Sequence, residues 1–182
     1  MRSLMRRITA GVVGLLAVAT TATLVTAAPA GAATSAPQSH IYSTALRWPT
    51  VRPGAVGERV FTIQYLLQQR RLRVFADGRY GRATTAAVRA FQRSRGLRPD
   101  GIVGASTWNR LITTVRRGSA GSAVRAVQHS MRFAYGFRFQ RVTGFFGLPT
   151  LRVVLAFQRG SHLRVDGVVG FQTWMTIVVF EH

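Results

Sequence analysis

The chain has 182 residues, 25 of them basic and five acidic, for a formal net charge of +20, and every basic residue is an arginine. Such an excess attracts polyanions, whether nucleic acid, an anionic lipid surface or a polymer bearing phosphate and carboxylate groups, and charge alone does not choose among them. The absence of cysteine excludes a disulfide framework, a thiol nucleophile and a lipid-bearing cysteine, so the folded body must be held by packing alone.

Residues 1–33 read as a signal peptide. Arg2, Arg6 and Arg7 precede an apolar run from Ile8 to Val25, and the small residues Ala30, Gly31, Ala32 and Ala33 supply cleavage sites. The Thr and Ala content of the run is weakly apolar for a membrane span. The expectation is export by the general secretory route, a secreted product and no stable membrane insertion after cleavage. Residues 34–50 carry Pro37, Pro49, Ser35, Ser39 and Ser43 without a period and read as a linker.

Beyond residue 50 the sequence repeats. Val51, Arg52, Gly54, Gly57, Val60 and Gln64 recur 64 residues later as Val115, Arg116, Gly118, Gly121, Val124 and Gln128. Tyr80, Gly81, Thr84, Val88, Phe91 and Gln92 recur as Phe146, Gly147, Thr150, Val154, Phe157 and Gln158, now at an offset of 66. Asp100, Gly101, Val103, Gly104, Thr107 and Trp108 recur at the same offset of 66 as Asp166, Gly167, Val169, Gly170, Thr173 and Trp174. A fixed lag over so many positions defines two copies, residues 51–114 and 115–182.

Each copy predicts three short helices, giving an all-α chain. Val60, Ile63, Leu66 and Leu67 fall at helical spacing, as do Val124, Val127 and Met131. A second helix over Ala83 or Thr84 to Arg93 would bury Ala87, Val88 and Phe91 and stop at Gly96; its counterpart opens with Pro149. His162 stands where the first copy has Gly96, which predicts a stop moved back to Gly160. The third helices follow Gly104 and Gly170 and bury Trp108, Leu111 and Ile112, or Trp174, Ile177 and Val178. The spacing places both tryptophans in the core rather than on a sugar-stacking surface.

In the first copy the ordered motif is Gly54, Gly57, Val60 and Gln64, then Asp77, Gly78, Gly81, Thr84, Ala87, Val88, Phe91 and Gln92, then Asp100, Gly101, Val103, Gly104, Thr107, Trp108 and Leu111. It resembles the peptidoglycan-binding-domain-like family over nearly everything after residue 50. The resemblance implies a tandem pair of three-helix modules that recognise bacterial cell-wall peptidoglycan and are usually joined to a wall hydrolase or transpeptidase. With the signal peptide and the absence of a catalytic set of residues, the expected product is secreted, wall-associated and non-catalytic. Its partners would be peptidoglycan, anionic wall polymers and a separate wall hydrolase, with no cofactor. Two other readings stay open: a general binder of polyanions such as teichoic polymer or nucleic acid, and a targeting subunit of a cell-wall hydrolase.

The candidate ligand contacts are Asp77, Arg79, Tyr80, Gln92 and Asp100, with Phe146, Gln158 and Asp166 in the second copy. The Asp-Gly pairs have two readings, as turns in which Asp bonds nearby N–H groups, or as carboxylates receiving sugar hydroxyls and stem-peptide groups. Tyr80, in a glycine-flanked turn, is expected to be exposed and to offer a ring face and a hydroxyl. The groups Arg70, Arg71, Arg73, Arg79 and Arg93, Arg95, Arg98 suggest diffuse, salt-sensitive attraction to carboxylates or phosphates. Thr143, Phe146 and Pro149 replace Asp77, Tyr80 and Ala83, so the main site is expected in the first copy, with the second as a brace.

Catalysis is not expected. A glycosidase needs two carboxyl groups flanking one bond, and Glu58, Asp77, Asp100, Asp166 and Glu181 offer no convincing pair. His40, His129, His162 and His182 are too scattered for a zinc site, and the spacing of His162 and Asp166 is read as incidental.

Overall fold

The computed structural model describes residues 47–138 and 140–181; the expected signal peptide and most of the expected linker lie outside them. The chain forms α1 (Glu58–Gln69), α2 (Arg82–Ser94) and α3 (Ala105–Leu111), then α4 (Ser122–Phe133), α5 (Leu148–Gly160) and α6 (Phe171–Phe180). Extended pairing among the described residues is limited to isolated bridges in matching places: Val51–Val103 and Val56–Arg79 in the first copy, Val115–Val169 and Ala120–Phe145 in the second. The expected all-α fold with three helices per copy is the one observed.

The helical periods bury the residues they predict except Ile112, which follows the last residue of α3 and is half-buried. Val60, Ile63, Leu66 and Leu67 of α1 meet Val88 and Phe91 of α2 and Trp108 and Leu111 of α3, all nearly solvent-free. Val124, Val127 and Met131 meet Val154, Phe157, Trp174 and Ile177 in the same arrangement. Gly57 and Gly121 precede α1 and α4 at φ of 114° and 112°, a region that L side chains resist. Their N–H groups donate to Gly78 O (3.0 Å) and Gly144 O (2.8 Å), which ties each helix start to the loop after the helix.

Each core tryptophan fixes the segment leading into its copy. Trp108 Nε1 donates to Pro49 O at 2.9 Å and Trp174 Nε1 to Thr113 O at 2.8 Å, positions that match across the repeat. Trp48 is buried, stacks on Trp108 with centroids 5.5 Å apart, and donates from Nε1 to Asn109 Oδ1 at 2.7 Å. The linker reading is therefore corrected for Trp48 and Pro49. A large aromatic surface with a satisfied N–H gains more by packing than by remaining in a tether.

The expected stop at Gly160 is also corrected. Gly96 ends α2 at φ 64°, as read from the sequence, but Gly160 is the last residue of α5 and His162 itself takes the left-handed turn at φ 54°. Leu97 N and Leu163 N each donate at 2.9 Å to Gln92 O and Gln158 O. The closing hydrogen bond is thus kept in the second copy at the backbone cost of a non-glycine residue in that conformation.

The two helix triplets meet mainly through α1 and α4. Arg59 of α1 reaches the end of α6, where Nε donates to Val178 O (2.9 Å) and Nη2 to Val179 O (3.2 Å) and to Glu181 O. These carbonyls have no partner within the helix, and a cation suits that end of its dipole. Beside them the fully buried Glu181 side chain accepts from Thr62 Oγ1 at 2.9 Å and contacts Ser130 Oγ. Ser130 has one proton for two acceptors, since Oγ also donates to Ala126 O at 3.0 Å. A proton on Glu181 removes that shortage. His129 lies across the same junction, with Nδ1 2.9 Å from Glu58 Oε2 and its ring stacked on Phe61 at 4.3 Å.

Burial pushes the Glu181 carboxyl from its ordinary value of 4.5 up to about 7 and the His129 imidazole from 6.5 down to about 4. Between about pH 4.5 and 7 the folded chain holds the Glu181 proton that the unfolded chain releases, so this contribution is full below 4.5 and lost as pH rises through 7. His129 acts oppositely: its contribution is full above 6.5 and lost as pH falls toward 4. Glu181→Gln isolates the first effect. Urea unfolding of the variant and parent from pH 4 to 8 is expected to show the variant gaining up to about 3 kcal/mol relative to the parent across that range; parallel curves would mean that Glu181 ionises freely in the folded state.

Candidate functional site

The polar loop motif is built around buried glutamines. Gln64 leaves α1 with its Nε2 donating to Asp77 Oδ1 (2.8 Å), Arg79 O (3.0 Å) and Thr84 Oγ1 (3.1 Å). Its Oε1 accepts from Asp77 N (3.0 Å) and Gly78 N (2.9 Å). Gln92, at the far end of α2, repeats the arrangement: Nε2 donates to Asp100 Oδ1 (2.9 Å), Ile102 O (2.9 Å) and Thr107 Oγ1 (3.2 Å), and Oε1 accepts from Gly101 N (2.9 Å). Gln128 and Gln158 do the same to Thr143, Phe145, Thr150 and Gly144, and to Asp166, Val168, Thr173 and Gly167.

Each copy is therefore itself two helix-loop-helix units sharing a helix. The signal was present in the sequence as four occurrences of G-x-x-G-x-x-T, at Gly78, Gly101, Gly144 and Gly167, each preceded by Asp or Thr. Thr143 does the work of Asp77, since its Oγ1 accepts from Gln128 Nε2 and from Phe145 N, both at 3.2 Å. The change from acid to hydroxyl leaves that unit intact.

These contacts place the predicted site residues. Gln92 and Gln158 are buried, with their amides engaged inside the fold. Asp77, Asp100 and Asp166 each bind with Oδ1 and remain at the surface. The backbone N–H of Arg79, Ile102 and Val168 respectively is the first cause that holds each of these carboxyls below the ordinary carboxylate range, so all three are ionised. Arg79 is exposed, and its backbone serves the Gln64 unit. Arg164 lies 3.7 Å from Asp166 as a solvent-exposed pair, an arrangement that contributes little. Among the described residues no three potential metal ligands gather.

The exposed reading of Tyr80 is overturned. Only 2% of it is accessible. Its backbone is clamped by Gly54 N donating to Tyr80 O (2.9 Å) and Tyr80 N donating to Ala55 O (2.8 Å), which turns the ring inward. The hydroxyl donates to Gly101 O at 2.8 Å and so couples the two loops of the copy. Phe146 fills the same buried place without that link.

Open space lies instead along the exposed side of α2. A groove of about 490 Å³ is lined by Pro53, Gly54, Arg82, Thr85, Ala86 and Arg89, with Gly81 and the buried Tyr80 completing the lining. A second, of about 360 Å³, runs beside Asp166, Val168, Phe171 and Gln172.

Two like helix triplets, pinned by buried amides and carrying shallow grooves, define a tandem binding module. The sequence model of the peptidoglycan binding domain matches residues 56–111 and again 120–177. The chain belongs to the peptidoglycan-binding domain family. It is similar to the N-acetylmuramoyl-L-alanine amidase CwlM of Mycobacterium tuberculosis, 36% identical over 99 residues that cover 48% of this chain and 24% of that protein. It is also similar to a probable N-acetylmuramoyl-L-alanine amidase of Bacillus licheniformis, 27% identical over 124 residues, 54% of this chain and 35% of that protein. The crystal structure of the SleB N-terminal domain aligns at 35% identity and a TM-score of 0.35, covering 37% of this chain and 93% of that one. The chain thus spans 24% and 35% of the lengths of these two amidases.

Tyr80→Phe gives the first copy the ring that the second already uses. The expected result in urea unfolding is a loss of about 1 kcal/mol from the orphaned Gly101 carbonyl, with wall binding unchanged. Unchanged stability with weakened binding would return the hydroxyl to the ligand site.

Proposed function

We propose that this protein is a secreted, wall-associated, non-catalytic peptidoglycan-binding protein whose two modules act together, and that any wall hydrolysis coupled to it resides on another polypeptide. The match of both helix triplets to the peptidoglycan binding domain carries this reading. Two linked modules on one insoluble polymer raise the effective concentration of the second once the first is bound. Asp77, Arg79 and Asp100, with Asp166 in the second copy, serve as rim contacts. Gln92, Gln158, Tyr80 and Phe146 position the loops from inside.

Several features support the non-catalytic part. Asp77, Asp100 and Asp166 each anchor a loop, Glu58 faces His129, and Glu181 is buried in the junction. A glycosidase needs two carboxyl groups free to act on one bond, whereas these five are engaged in the scaffold. No helix among the described residues is long and apolar enough to cross a membrane.

A general polyanion binder is the second reading, and the net charge of +20 favours it. Co-sedimentation with purified sacculi, before and after removal of their anionic polymers and across a salt series, separates the two. Binding is expected to survive removal of the polymers with a shallow salt dependence, and the suspension is expected to keep its turbidity. Loss of all binding on stripping would favour the polyanion reading, and clearing of the suspension would place a hydrolase in the chain.

A further inference from the structure

The repeat supplies an internal control for the groove on α2. Arg82, Thr85 and Arg89 line it in the first copy; the same helix positions in the second are Leu148, Leu151 and Leu155. Both copies keep the fold, so the scaffold does not require the guanidinium groups. Both arginines are exposed, and the arginine that meets a carboxylate among the described residues is Arg164, beside Asp166, which leaves Arg82 and Arg89 without an acidic partner.

Their placement is ordered. Seven residues separate them on one helix, two turns on one face, or about 10 Å along the axis. Thr85 and Ala86 lie between them in the sequence, and Pro53, Gly54, Tyr80 and Gly81 complete the lining. The Thr85 hydroxyl proton is committed to Gly81 O at 2.9 Å. The Arg89 side chain lies over the Gly101 turn, where a Cβ on that glycine would come 3.1 Å from Arg89 Nε. In the second copy Leu151 and Leu155 cover the matching Gly167 turn.

We infer that the groove between Arg82 and Arg89 recognises oxyanion groups on the wall polymer, the carboxylates of the peptidoglycan stem peptide, and that the leucine-lined face of α5 does not. This rests on the peptidoglycan reading above. Two arginines whose backbone positions lie about 10 Å apart along one helix face suit a short peptide with separated carboxylates, each able to accept paired N–H bonds from a guanidinium fork. A neutral glycan offers them no charge to bind. Phosphate on an anionic wall polymer presents the same chemistry, and the test separates these two sources.

The full chain is titrated calorimetrically with three probes: a muramoyl tetrapeptide with free carboxylates, the same peptide fully amidated, and a glycerol-phosphate oligomer. Arg82→Leu and Arg89→Leu are measured in parallel, with thermal unfolding as the check that each folds like the parent. Leucine is the residue the second copy already carries at these sites. The free-acid peptide is expected to bind, and to bind about tenfold more weakly after either substitution or after amidation. Undiminished peptide binding by both variants would overturn the inference, as would tighter binding of the glycerol-phosphate oligomer than of the peptide. Failure of the parent to sediment with stripped sacculi would instead reject the peptidoglycan reading on which it rests.

Discussion

A glutamine amide buried on one helix, with both its donor and acceptor committed to the loop that follows, is the interaction on which this structure depends. The loops carry N–H and C=O groups into the interior, where an unpaired group costs about as much as a lost hydrogen bond. Glutamine alone combines two donors and an acceptor with the reach to meet them; glutamate would lack the donors and asparagine is shorter. The amide also holds a threonine in the first turn of the next helix, as Gln64 does with Thr84 and Gln92 with Thr107. One side chain therefore satisfies a loop and sets the start of a helix. Four repetitions, two in each copy, position the two helix junctions that build each core.

This scaffold changes where the two copies differ in surface chemistry. Thr143 and Phe146 look like losses in the second copy, yet Thr143 performs the bonding of Asp77 and Phe146 occupies the buried place of Tyr80. The unequal chemistry lies on the outer faces of α2 and α5, where Arg82 and Arg89 stand opposite Leu148 and Leu155. The junction of α1 with α4 adds buried polar contacts from Arg59, Thr62, Ser130 and Glu181. Such groups are destabilising unless satisfied, and Glu181 meets both Thr62 and Ser130 through Oε1 while Oε2 has no partner, so the contacts that are made favour one way of packing the two triplets.

Much of the fold was legible. The periods of Val60, Ile63, Leu66 and Leu67, and of Trp108 and Leu111, are those of helices packed on one side, and the repeat shows each twice. Trp48 was not legible, because a lone tryptophan among prolines and serines carries no period and its partner Trp108 is 60 residues away. Tyr80 was misread because a turn marked by glycine resembles a surface loop. Its replacement by Phe146 was the clue, since an unchanged ring without its hydroxyl suits a buried position. His162 shows that a left-handed position need not be glycine when the surrounding hydrogen bonds over-determine it. The proposed groove was the least legible part: most of the residues that recur in both copies hold the fold together. The groove arginines do not recur, so a search for repeated motifs passes over them.

Native-state hydrogen exchange of the loop glycines tests the central role of the buried amides most directly. The amides of Gly78, Gly101, Gly144 and Gly167 donate to Gln64, Gln92, Gln128 and Gln158. They are expected to be protected nearly as strongly as the core of α1 and α4, with Gly101 alone among the four losing its protection selectively in Gln92→Ala. Exchange of all four at the rate of open surface loops, unaffected by that substitution, would contradict a scaffold built on glutamine.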